Sequence, residues 1–367
     1  DGIIIDADDQ VGENAAVFAL DATTGGDGRN PSITRNTVID GLTITAGSDN
    51  GFFSTGGLYC KSQTGSGASP TLRNLVLAGN RTNIFGGGMY FDLSGSSNAP
   101  LVKNSVFVGN ETTGDGGALA IRSAGGPAQV RLTNVAFVNN RAPGSSSISR
   151  TGGALWSLVL SDRLDITLTN VTFTGNTAAD GGGAISQVTD GMSARSTVSV
   201  TNGLLYDNQA GGANDQVLTE GNRSTTTFTH TLVQGGDSGT ATINGGTNTY
   251  LNFNGDPASF AGSSNQTGDP AFTAPETPAG PDGTYGTPDD GLHLQPNSPA
   301  RGTGTADSVR VSTDLTGAPR SQGGSAGGSF NNSVDLGAYE GGGFTAPQVD
   351  RVVPTAAGPG TEVRVEG

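Results

Sequence analysis

Apolar residues recur along this chain in short runs of Val, Ile, Leu and Phe bounded by Gly, Asn and Asp. No ten-residue stretch carries the 3.6-residue apolar period of an amphipathic helix, so the pattern predicts strands throughout. The runs also repeat. Asn74-Leu75-Val76-Leu77-Ala78-Gly79-Asn80 shares one frame with Asn104 to Asn110, Asn134 to Asn140, Asn170 to Asn176 and Asn202 to Asn208, each with Leu or Phe at its fourth position. Weaker copies start at Asp40 and His230, so successive starts lie 34, 30, 30, 36, 32 and 28 residues apart. A period in this range predicts a solenoid whose coils each hold three short strands and three turns.

A second landmark keeps step with the first: Gly56-Gly57-Leu58, Gly87-Gly88-Met89, Gly116-Gly117-Ala118, Gly152-Gly153-Ala154 and Gly182-Gly183-Ala184, with Gly211-Gly212-Ala213 as a degenerate copy. Paired glycines supply left-handed backbone and let stacked turns approach closely. Asn tolerates left-handed geometry, and its amide can donate to and accept from the equivalent Asn one coil away. Asn80, Asn110, Asn140, Asn176 and Asn208 are therefore expected to form a structural ladder. Asn110-Glu111-Thr112 and Asn170-Val171-Thr172 match the glycosylation pattern, but a repeated Asn among abundant Thr produces such matches by chance. Coil length swells at 92–99, 143–150 and 189–196, where loops leaving one corner of the coils would line a binding face.

The expectation is an all-β fold, a right-handed parallel β-helix with a C-terminal cap. Its parts are an N-terminal coil or cap at 1–35, repeated coils at 36–236, last coils and capping segment at 237–345, and the start of a further domain at 346–367.

The alternation of Phe-x-x-Asn with Gly-Gly-Ala-Leu/Ile resembles the repeats of polymorphic outer-membrane proteins and related bacterial surface β-helices. After it come Asp269-Pro270-Ala271-Phe272, the run from Asp290 to Gly304, the run from Asp314 to Arg320, and Asp335-Leu336-Gly337-Ala338-Tyr339-Glu340. In that order they resemble the closing segment of choice-of-anchor Q type β-helix proteins. The stretch from Val349 to Gly367 is similar to the first strands of an immunoglobulin-like IPT/TIG domain. These resemblances imply export, surface display and adhesion, and a parent polypeptide that continues past Gly367.

Composition changes this picture at few points. Gly fills 61 of 367 positions and charged residues only 14%, which suits turns and strands. With 33% hydrophobic residues and a net charge of -15, the chain has the composition of a disordered one. The repeats argue otherwise, because a solenoid bonds each coil to the next along a narrow core. Two lysines, Lys61 and Lys103, and 16 arginines face 33 acids, which disfavours nucleic acid and anionic membrane as partners. No 18-residue apolar stretch predicts a membrane span. The lone Cys60 cannot form an intrachain disulfide and reads as a small buried hydrophobe.

The strongest ligand candidate is the Gly- and Asp-rich turn from Gly280 to Gly291, where Asp282, Asp289 and Asp290 could offer Ca²⁺ the several oxygens a hard cation requires. A solvated Asp-Gly turn explains the same residues. Asp6, Asp8 and Asp9 form a weaker acidic stretch. Parallel β-helices also host polysaccharide lyases and hydrolases, which use a basic residue beside calcium-binding carboxylates or a spaced carboxylate pair. Here the lysines are isolated. Asp115 and Asp180, each before a Gly-Gly turn, are candidates for an exposed carboxylate row or for ordinary turn acids. His230 stands in the frame of a repeat Asn, and His293 lies in a Leu-His-Leu strand pattern, too far apart for a transition-metal site. Trp156 is a candidate sugar platform or a residue packed against the next coil. The first functional expectation is an extracellular structural or adhesive module that spaces or displays loops, with surface glycans, proteins or other copies of itself as partners. The alternatives are a carbohydrate-active or carbohydrate-binding β-helix and an extracellular filament subunit.

Overall fold

The computed structural model describes residues 3–6, 18–22, 32–49, 55–95, 98–144, 152–211, 216–221, 223–234, 264–306, 311–320, 333–341, 351–353 and 364–366. Among these there is no helix, and the strands stack in parallel as a β-solenoid of about six turns. Asp6 ends a strand, Ile3–Asp6, that pairs with Leu42–Thr45, whereas Asp8 and Asp9, most of the swelling at 143–150 and most of the stretch from 346 lie outside the described residues. Arg351–Val353 and Arg364–Glu366 pair antiparallel.

Each coil passes through three stacks. The long stack contains Leu101–Val108, Ala128–Val138, Arg163–Thr174 and Arg195–Tyr206, paired in register so that Phe107, Phe137, Phe173 and Leu205 line up. A two-residue strand follows, such as Glu111–Thr112 or Arg141–Ala142, and then a five-residue strand such as Leu119–Ser123 or Leu155–Val159. Parallel in-register stacking sets identical side chains face to face. Phe107, Phe137 and Phe173 accordingly stack with centroids 4.9 and 4.6 Å apart and rings 13° and 6° from parallel. With Leu58, Met89, Leu119, Leu155 and Ile185 from the five-residue strands they form the continuous interior.

Left-handed backbone falls on a different Asn of the repeat from the one singled out above. Asn74, Asn104, Asn134, Asn170 and Asn202 have φ between 46° and 54°, and His230 joins them at 47°. Asn80 and its equivalents do not. The residue before each carries the positive φ instead: Gly79, Gly109, Asn139, Gly175 and Asp207. The left-handed Asn residues bend the long strand, which separates its outward side chains into two half-faces.

Close approach governs the Gly-Gly landmark. A Cβ on Gly153 would lie 2.3 Å from the Gly183 carbonyl oxygen, a distance no side chain can occupy. Strand register also corrects one equivalence. Leu119 aligns with Leu155 and Ile185, which places Gly181, not Asp180, opposite the coil position of Asp115. The extra glycine before the Gly182-Gly183 pair shifts Asp180 by one residue, so the two acids do not form a row.

After the last coil Asn265 continues the stack, donating to the Phe228 carbonyl and accepting from the Thr231 amide. Residues from Phe272 onward run along the side of the solenoid. Phe272, Leu292, Leu294, Leu315, Leu336 and Tyr339 pack on Val106, Ala136, Val138 and Leu204, the outward side chains of the second half-face.

Candidate functional site

Two Asn ladders hold the coils. In the buried one, each side-chain amide donates to the next coil: Asn80 Nδ2 to Asn110 Oδ1 at 3.0 Å, Asn110 to Asn140 at 3.0 Å, Asn140 to Asn176 at 2.9 Å and Asn176 to Asn208 at 2.7 Å. Asn208 then donates to Gln216 Oε1. Each Nδ2 of the first four residues also reaches a backbone carbonyl of the preceding coil, as Asn140 does to Phe107 at 3.0 Å. The second ladder, formed by the left-handed Asn residues, runs the other way: Asn202 donates to Asn170, Asn170 to Asn134 and Asn134 to Asn104. The sequence pattern contained both rows, but only the first was expected to stack.

The densest chemistry lies where the C-terminal segment meets the solenoid. Arg320 is 3% exposed and its guanidinium donates to the carbonyls of Gly337 and Ala338 at 2.9 and 2.7 Å and to Glu340 Oε2 at 3.2 Å. Asp314 Oδ1 closes its own turn by accepting from the amides of Thr316 and Ala318, while Oδ2 accepts the Glu340 amide at 2.7 Å. Asp335 accepts the amides of Gly302 and Gly341 at 2.6 and 2.7 Å. These buried charges arise from the runs Asp314 to Arg320 and Asp335 to Glu340, where isolated ionic residues among Leu, Gly and Ala were a signal of pairing that sequence reasoning did not use. Burial is the largest influence on Glu340, followed by Asp335. Together they push its carboxyl up to about 7, against the opposing pull of Arg320.

The cluster is anchored to the coils. The Ala338 amide donates to Thr172 Oγ1 at 3.0 Å, and the Gly337 amide to the Asn202 carbonyl at 2.8 Å. Asn202 also exchanges two 2.9 Å bonds with Thr305, and Asn134 donates to the Thr313 carbonyl at 2.7 Å. Gly337 has φ +92°, and a Cβ there would lie 2.7 Å from both Leu204 and Thr172.

Asp282, Asp289 and Asp290 share one turn but serve different ends. Asp282 Oδ1 accepts the Thr284 amide at 2.7 Å, and Asp289 accepts from Thr287 Oγ1 and the Asp282 amide; both acids are exposed. Asp290 turns inward. Its Oδ2 accepts from Tyr339 Oη and the Gly286 amide, both at 2.8 Å, and burial raises its affinity for a proton. Among the described residues, no three His, Cys, Asp or Glu side chains are grouped to hold a metal ion.

His293 sits in a turn with one antiparallel bridge, Phe272 to Leu294, rather than in a strand, and its Nδ1 lies 3.2 Å from the Glu340 carbonyl. Trp156 is buried, stacked on Phe85 at 5.2 Å. Phe85 in turn touches Tyr90, which stacks on Tyr59. The indole is therefore covered by this chain's own aromatic ring. Cys60 is fully buried, and desolvation pushes its thiol up to about 12. Lys61 and Lys103 stand in separate stacks. Comparison with protein-family models, with curated proteins and with solved structures returned no match.

Proposed function

We propose that this chain is a non-catalytic extracellular module, a rigid solenoid that spaces and displays surface loops for adhesion. The observation that carries the reading is the use made of the buried acids. Asp314, Asp335 and Glu340 each spend their oxygens on backbone amides or on Arg320, and so tie the C-terminal segment to itself beside Gly337 and Ala338, which bond the coils. Glycoside hydrolysis needs two carboxylates facing a sugar with room for it between them. Glu340 has the proton affinity of a general acid, but it is 4% exposed and faces Arg320.

Two ladders and an aromatic stack that join coil to coil suit a rod, because each adds stiffness along the axis without requiring a ligand. The exposed carboxylates of Asp282 and Asp289 are where calcium would add to that rigidity, read as a rise in melting temperature on adding calcium that chelation reverses. The function is tested by incubating the purified chain with pectate, alginate and neutral glycans. The reading requires that no new chain ends form, and steady depolymerisation of any of them would replace it with the enzyme alternative.

A further inference from the structure

The half-face of the long stack that precedes the Asn bend carries two kinds of surface. In the early coils the row nearest the bend is ionic, Asp40, Arg73 and Lys103, while the row beside it holds Val38, Thr71, Leu101 and Arg131. In the later coils it changes. Register places Thr133, Thr169, Thr201 and Thr229 in one row across four strands. Thr167, Ser199 and Thr227 form the neighbouring row, and Thr197 and Thr225 begin a third beside Asp165. All these hydroxyl residues are exposed or half-buried, while the residues alternating with them, such as Leu168, Val200 and Phe228, are buried.

High strand propensity explains why Thr is tolerated at these positions. It does not explain why the hydroxyl residues are contiguous, or why charge stops at the border of the patch, since the same face of the same stack is ionic a few coils earlier. Backbone bonding fixes the spacing of the array at about 4.8 Å from strand to strand and about 6.6 Å between alternate residues of one strand. Ladders of identical side chains are one of the devices that keep a many-stranded sheet flat, and an Asn ladder borders this array along the bend. A grid with these two repeats comes within about a tenth of the oxygen spacings on a prism face of hexagonal ice. Each Thr adds a methyl group, around which water orders, beside a hydroxyl that can donate and accept within that order. Charged residues would impose their own hydration. Here they are displaced to the margin, at Asp165 and the column Arg163, Arg195 and, in the next strand's frame, Arg223.

We infer that this hydroxyl grid is an ice-binding surface, one that adsorbs to the prism face of a growing ice crystal and slows its growth. The reading is independent of the adhesive role proposed above, because it concerns a half-face that the described part of the C-terminal segment reaches by hydrogen bonds at its border, Asn134 and Asn202.

The test uses the full chain in a recrystallisation and thermal-hysteresis assay, with serum albumin as the inert control. The unaltered chain is expected to shape and retard ice crystals. Thr201→Lys and Thr169→Lys, each an outward substitution inside the grid, are expected to lose that effect while keeping the melting transition of the parent. Met192→Lys, at a fully exposed position outside the grid, is expected to behave as the parent. Ice growth in the parent solution equal to that with albumin would overturn the inference, as would full activity in both grid variants. Retention on an insoluble polysaccharide together with no effect on ice would also overturn it, by assigning the grid to a glycan.

Discussion

At the scale of single residues, the most consequential group is the carboxamide of Asn140. Its oxygen accepts from the backbone and side chain of Asn110, and its nitrogen donates to Phe107 and Asn176. An amide offers both a donor and an acceptor, which is why one residue type can be stacked indefinitely without leaving a buried polar group unmet. Asn140→Ala would strand partners on both neighbouring coils at a fully buried site, at a cost of about 3 kcal/mol. Denaturant unfolding measures it, and a loss near that of an exposed control such as Thr167→Ala would show that water replaces the amide. The repeated Asn was legible in the chain; which Asn takes the left-handed backbone was not. Both ends of the motif carry Asn, and only the bend of the long strand distinguishes Asn134 from Asn140.

At the scale of the coil, spacing decides what can vary. Gly153 meets the Gly183 carbonyl and the Thr177 backbone, whereas the next position accepts Ala154. Gly153→Ala is therefore expected to push two coils apart and to lower the melting temperature more than Ala154→Gly, which only removes a methyl group from the interior. Parallel melts of the two variants check the order. Coil length, strand alternation and the Phe row were readable from the sequence, since each repeats with the period of the backbone. One inserted residue was enough to defeat the reading of Asp115 and Asp180 as equivalents, because a register is a relation between coils and cannot be taken from a local motif.

At the scale of the molecule, Arg320 ties the C-terminal segment together at Gly337, Ala338 and Glu340, and the first two of these in turn bond Asn202 and Thr172 of the coils. Removing one partner of a buried ion pair leaves the other charge unmet, at about 3 to 5 kcal/mol. Arg320→Ala should thus release the segment to limited proteolysis while the coils remain resistant, and simultaneous digestion of both parts would contradict it. Acidity acts on the same clamp. Glu340, with an ordinary value of 4.5, is pushed up to about 7 by burial and by Asp335, so the folded state holds its proton more tightly than the unfolded chain. That contribution to stability is complete below the unfolded value and is lost as pH climbs through about 7. Protection of the segment from protease should accordingly weaken between about pH 5 and about pH 8, and Glu340→Gln should remove that dependence.

The amino-acid sequence by itself determined the all-β class, the coil period, the rows of Asn and Phe, and the glycine turns. Each depends on local chemistry repeated every thirty or so residues, and parallel stacking converts such repetition directly into contact. Tertiary structure alone decided where the C-terminal segment lies, which acids Arg320 gathers, and which half-face of the long stack the segment covers. Those outcomes rest on single, unrepeated contacts such as Ala338 to Thr172, 166 residues apart. A contact made once across that separation leaves no period in the chain to be read.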